Sequence, residues 1–172
     1  MCESALAKYS RNESAATGAL GGAMSREIRQ VVADIDTLRT ADGDDLLRLQ
    51  ALIEEYFASP DAAAHIDVWF RLYERFPDDH GHGVFWTILH GIEAQPTSDA
   101  AVVASIRRRP THYPVLMVNR MLNGGIPAAA GVDLIGLLRQ IAADERVAAT
   151  VRADAEQFLE HQRGRTKPPR RG

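Results

Sequence analysis

Apolar residues recur at three- and four-residue spacing in eight successive segments of this chain, a pattern that leaves little room for any fold but an all-helical one. Ile28, Val31, Val32, Ile35 and Leu38 form the first stripe, and Leu46, Leu49, Ile53, Tyr56 and Phe57 the second. Ile66, Trp69, Phe70, Tyr73 and Phe76 make the third, and Val84, Phe85, Ile88, Leu89 and Ile92 the fourth. A shorter fifth holds Val102, Val103 and Ile106, and a sixth Met117, Val118, Met121 and Leu122. Leu134, Ile135, Leu138 and Ile141 supply the seventh, and Val147, Val151, Ala155 and Phe158 the eighth. No segment alternates for long enough to compete as a strand.

The punctuation agrees. Ser59-Pro60-Asp61 reads as a capping serine followed by proline at the first helical position, and Pro77 ends that helix. Ser98 is a cap candidate for the fifth helix, Pro110 closes it, and Pro114 can start the sixth, which stops at Asn123-Gly124-Gly125. Grouped in twos, the helices form pairs that begin near residues 27, 61, 99 and 132, about 33 to 38 residues apart. That spacing is near the period of helical-hairpin solenoids. The expected fold is all-α, a short HEAT-like stack of about four antiparallel helix pairs, with a closed helical bundle as the alternative because no residue-level repeat joins the pairs.

At 172 residues and 18.9 kDa the chain has the length of one domain. Residues 1–24 have no sustained apolar face and read as a flexible arm, residues 25–162 as a single helical domain, and residues 163–172 as a basic flexible tail. Met24 directly precedes the helix-start signal Ser25-Arg26-Glu27, which leaves open whether residues 1–23 belong to the working protein. Lys8, Arg11, Asn12 and Glu13 interrupt any signal-peptide core, and no run approaches the roughly eighteen apolar residues of a membrane span. The single cysteine, Cys2, has no intramolecular partner, so a reducing, cytoplasmic setting fits best.

Charge is uneven. Residues 26–93 hold fourteen acidic against six basic residues, a balance of −8, while residues 94–172 hold seven against twelve, a balance of +5. Asp42, Asp44, Asp45, Glu54, Glu55, Asp78 and Asp79 carry much of the acidity. One reading is a solvated face with acids at helix starts; the sharper one is a surface that steers a basic partner. Arg107-Arg108-Arg109 and the tail do not make a nucleic-acid binder, since an acidic half-domain opposes phosphate.

Eight of the eleven aromatic residues lie within residues 56–86 and read as the thick part of the core. Trp86 is the exception, adjacent to its stripe and placed to anchor a partner. Asp78, Asp79, His80, His82, His90 and Glu93 are the only cluster resembling a metal or acid–base site. His82, Trp86, His90 and Glu93 would share a face on a continuous helix. The spacing matches no metalloprotease pattern, and a polar turn with a hydrogen-bonded histidine is the simpler account, so no metal and no cofactor are expected. There is no phosphate-binding glycine loop and no nucleophile elbow.

Taken in order, Trp86-Thr87-Ile88-Leu89-His90-Gly91-Ile92-Glu93, Arg109-Pro110-Thr111 and Asn119-Arg120-Met121-Leu122-Asn123-Gly124-Gly125 resemble small all-helical immunity proteins of bacterial polymorphic-toxin and contact-dependent inhibition systems, over about residues 60–160. The resemblance implies a cytoplasmic protein that binds a cognate toxin domain and blocks its active site without catalysis. On that reading Asp44, Asp45, Glu54, Glu55, Asp78, Asp79, Trp86, His90 and Glu93 are the partner-binding candidates, and the partner is basic. The competing expectations are a helical-repeat scaffold for another protein and, third, a metal-dependent enzyme built on the histidine cluster.

Overall fold

The structure, a computed structural model, describes residues 26–39, 43–79 and 81–166. Among these residues the fold is all-α, with eight helices: α1 (Ile28–Thr37), α2 (Gly43–Phe57), α3 (Asp67–Arg75), α4 (Val84–Glu93), α5 (Ser98–Arg108), α6 (His112–Asn123), α7 (Leu134–Ala143) and α8 (Ala149–Thr166). The arm expected over residues 1–24 and most of the expected tail lie outside the described residues, but α8 continues through Arg163 and Arg165 to Thr166. The first part of that tail is therefore helix.

Consecutive helices pack as pairs, α1 on α2, α5 on α6 and α7 on α8, while α1, α3 and α5 meet along one layer and α2 and α4, then α6 and α8, along another. Side-chain links show the direction within each layer. The Thr97 hydroxyl donates to the Ala63 carbonyl just before α5 and α3 begin, and the Ser105 hydroxyl donates to Glu74 near their ends, so both links span similar separations, 34 and 31 residues. His112 meets Asp154 and Gln162 meets Asn119 at separations of 42 and 43 residues. Near-constant offsets mean that helices one repeat apart run parallel, which is the geometry of stacked helical hairpins.

A repeated device joins the pairs. The last carbonyls of a helix lack intrahelical donors and sit at the negative end of its dipole. Arg75, at the end of α3, donates to the Ile35 carbonyl in the last turn of α1 at 2.7 Å. Arg109, just past α5, donates to the Glu74 carbonyl of α3 at 2.8 Å, and Arg165 in α8 to the Asn123 carbonyl of α6 at 3.2 Å. In each case an arginine from the following repeat covers the end of the helix before it. Around two of these clamps Asp36 pairs with Arg71 and Arg75, and Arg108 with Asp67 and Glu74, at 2.7–3.1 Å. Most of these groups are well solvated, so each pair alone contributes little.

The core is thickest where the sequence crowds its aromatics. Tyr56 meets Trp69 edge-on at 5.0 Å, Phe57 stacks on Trp69 at 5.7 Å, and Tyr73 stacks on Tyr113 at 4.8 Å. Buried phenols need acceptors. Tyr56 donates to the Ala62 carbonyl at 2.6 Å and Tyr73 to the Phe85 carbonyl at 3.0 Å. Gly91 lets α4 lie against α2, because a Cβ there would collide with the Phe57 ring. Gly91→Ala should therefore cost about 1–3 kcal/mol by overpacking, and less in a Phe57→Leu background, as a double-mutant cycle in urea would read.

Local details depart from expectation. Ser59-Pro60-Asp61 does not open a helix directly. A 3-10 turn, Ala62–His65, comes first, anchored through the Tyr56 bond to Ala62, and α3 starts at Asp67. Ser98 is the first residue of α5 and Thr97 its N-cap, without a side-chain capping bond. The sixth helix begins at His112, with Pro114 inside the first turn, where its missing N–H is not needed. A two-residue hairpin pairs β1 (Ala128–Ala129) with β2 (Val132–Asp133), too short to show as alternation. Ala130 and Gly131 take positive φ at its tip, as a tight hairpin turn demands. Asp133 then caps α7 by accepting from the Gly136 N–H at 2.8 Å.

Candidate partner-binding face

Helix α4 buries Val84, Phe85, Ile88, Leu89 and Ile92 and turns Trp86, Thr87, His90 and Glu93 outward. Gly83 makes this entry possible, since its φ of +90° places a left-handed residue at the N-cap. Trp86 is 42% exposed, although the other tryptophan, Trp69, is fully buried. Its ring lies 5.8 Å from that of His90 and meets Tyr113 of α6 edge-on at 6.3 Å. One edge is thus held while the rest faces solvent.

Polar groups gather around Tyr113, on the far side of that contact. His112 Nδ1 lies 2.8 Å from Asp154 of α8, and the His112 ring stands edge-on to Tyr113 at 5.1 Å. Asp79 accepts from the Gly81 N–H at 2.7 Å. Burial, with the Asp79 charge second, pushes the Tyr113 phenol above its ordinary pKa. Further along the same face Arg120 of α6 holds Glu93 with two bonds of 2.6 and 2.8 Å. The resulting surface runs across α4, α6 and α8 and offers an aromatic plate, imidazoles and carboxylates. An exposed indole suits a guanidinium or ammonium on its open face.

The structure gathers Trp86, His90 and Glu93 on one helix face and disperses the rest. His82 precedes α4 in a short 3-10 turn, Gly81–Gly83, so it does not continue that helical face; its side chain, and His80 entirely, lie outside the described residues. Asp44 and Asp45 occupy the first turn of α2, where Asp45 accepts from the Arg39 N–H at 3.1 Å. That is the helix-start role; Asp42 lies outside the described residues. Glu54 is exposed on α2, and Glu55 lies 3.5 Å from Arg26. Asp78 sits in a cleft with Arg107, Arg108, Arg109 and Arg146. The acidic half of the sequence is therefore no uniformly acidic surface: Arg108 and Arg120, from the basic half, fold back onto Asp67, Glu74 and Glu93.

Asn119 and Arg120, in the segment that carries the resemblance, bind side chains of neighbouring helices. Asn119 accepts from Gln162 at 2.7 Å and Arg120 binds Glu93, while the helix-end carbonyl goes to Arg165. His112, Tyr113 and Asp154 were not singled out, because only the repeat register, which brings residues 42 positions apart together, reveals them. No family model, curated protein or solved structure matches this chain. Among the described residues no group of three or more His, Cys, Asp or Glu side chains is placed to hold a metal ion. Purified without an affinity tag, the protein should carry far less than one equivalent of metal, and chelator should leave its thermal midpoint unchanged. A stoichiometric ion whose removal lowers the midpoint would contradict this.

Proposed function

We propose that this chain is a cytoplasmic, non-catalytic immunity protein that binds a cognate bacterial toxin domain and occludes its active site. The observation that carries the reading is Trp86, a large exposed indole fixed at one edge against His90 and Tyr113. Aromatic side chains held rigid before binding lose little entropy in a complex, and so serve as anchors. Asp79 near Tyr113 and Asp154 on His112 add acidic groups that suit a cationic active site, such as that of a domain acting on nucleic acid. The resemblance of the Trp86–Glu93 and Asn119–Gly125 segments to immunity proteins supports the same assignment.

The test is to express the toxin domain encoded beside this gene with and without the protein, and to measure both binding and residual toxin activity. Tight binding with loss of activity is expected. A domain that stays active in the presence of excess protein would overturn the reading. The parallel two-layer stack favours a second reading, a helical-repeat scaffold, which would bind its partner without suppressing it. Charge steering is checked separately. Glu54→Lys with Glu55→Lys should lower the association rate about tenfold at low salt and flatten its salt dependence, with dissociation nearly unchanged.

A further inference from the structure

Because α1, α3 and α5 run parallel in one layer, their carboxyl-terminal ends lie side by side and form a rim. Two grooves follow it. One, of about 960 Å³, is bordered by Arg39, Arg75, Phe76 and Arg109. The next, of about 610 Å³, is bordered by Arg107, Arg109 again, and the apolar Ile106, Pro110 and Val151. Helix axes in contact lie about 8–10 Å apart, so the rim is about 20 Å long, the span of roughly six extended residues.

Most carboxylates along these grooves are already held. Asp36 pairs with Arg71 and Arg75, Glu74 with Arg108, and Asp144 with Arg146. Arg39, Arg107 and Arg109 are exposed and make no ion pair among the described residues; Arg109 spends one bond on the neutral Glu74 carbonyl and keeps its charge. Asp78 is the one lining carboxylate without such a pair, so two positive charges are left over. Helix ends do not cancel them. Arg75 and Arg109 already cover last-turn carbonyls of α1 and α3. The ends of α5 and α7 bring about half a charge each, and the first turn of α8, which holds no acid, offsets one of the two. Between the free guanidinium groups the surface is apolar. Its one aromatic ring, Phe76, lies under Arg75 at 5.7 Å and offers no platform for a base.

We propose that this rim is a docking surface for an acidic polypeptide segment, extended across the ends of α1, α3 and α5, whose carboxylates meet Arg39, Arg107 and Arg109 and whose apolar side chains lie on Ile106 and Pro110. Forked guanidinium groups suit carboxylates in such a role. The rim shares no residue with the Trp86 face and is independent of toxin binding. It is tested on the full chain by fluorescence anisotropy with labelled nine-residue peptides: one alternating glutamate and leucine, one with lysine in place of glutamate and one with serine in place of leucine, beside decathymidylate. The glutamate–leucine peptide should bind at about 10–100 μM in low salt and weaken about tenfold at physiological salt. The serine peptide should bind less tightly, and the lysine peptide should not bind. Arg39→Gln with Arg107→Gln, at exposed positions, should weaken binding about fivefold to twentyfold. Arg29→Gln with Arg139→Gln, the same change in net charge at residues that line neither groove, should leave it unaltered. Absence of saturable binding, equal binding of the lysine or serine peptide, or equal loss in the two double variants would each overturn the proposal. Tighter binding of decathymidylate would overturn it too, by making the rim a nucleic-acid surface.

Discussion

Trp69→Ala should remove about 3–5 kcal/mol of stability and lower the thermal midpoint by roughly 10 °C or more. The side chain is fully buried, packs edge-on to Tyr56 and stacks on Phe57, and so connects α2 to α3 at the thickest part of the core. Gly91 presses α4 onto the same Phe57 ring, which leaves the surroundings little freedom to collapse into the void. Trp69→Phe should cost much less than alanine. The indole N–H has no hydrogen-bond partner among the described residues, so phenylalanine removes an unsatisfied donor while keeping most of the packing. Chemical denaturation of the two variants checks both statements, and a Phe variant as unstable as the Ala variant would contradict the second.

Trp86→Ala should do the reverse. Being 42% exposed and touching His90 and Tyr113 at its edge, the ring adds little to the core, and the midpoint should move by no more than about 2 °C. Binding to the toxin domain should weaken by roughly 30-fold to 1,000-fold, almost all of it as faster dissociation. Tryptophan to phenylalanine should recover part of the loss. An unchanged dissociation rate would move the contact off this face, and a large fall in the midpoint would make Trp86 a core residue after all.

Helical periodicity was legible because each stripe is decided locally, by which side of a helix must leave water. All the stripes from Ile28 to Val151 contribute buried residues. What the sequence hid depends on separation. Trp86 stood out because it breaks its own stripe, whereas His112 and Asp154 belong to different helices and meet only through the stacking register. The charge balance misled for the same reason. Asp67 and Glu74 look like part of an acidic half until Arg108 arrives from the next repeat. The hairpin at residues 128–133 was invisible because two residues per strand cannot display a period. Ser59-Pro60-Asp61 carried a sound local signal that the Tyr56 hydrogen bond to Ala62 displaced along the chain.

The arginine clamps give the stack an order in time. Arg75, Arg109 and Arg165 each reach backward, so the carboxyl-terminal end of a helix is covered only by residues that leave the ribosome later. A nascent chain that has emerged as far as α2 has the first pair but not the Arg75 that covers Ile35. Each of these three bonds therefore waits for the repeat that follows. Removing α8 would uncover the Asn123 carbonyl at the end of α6, a site that only a later repeat can close.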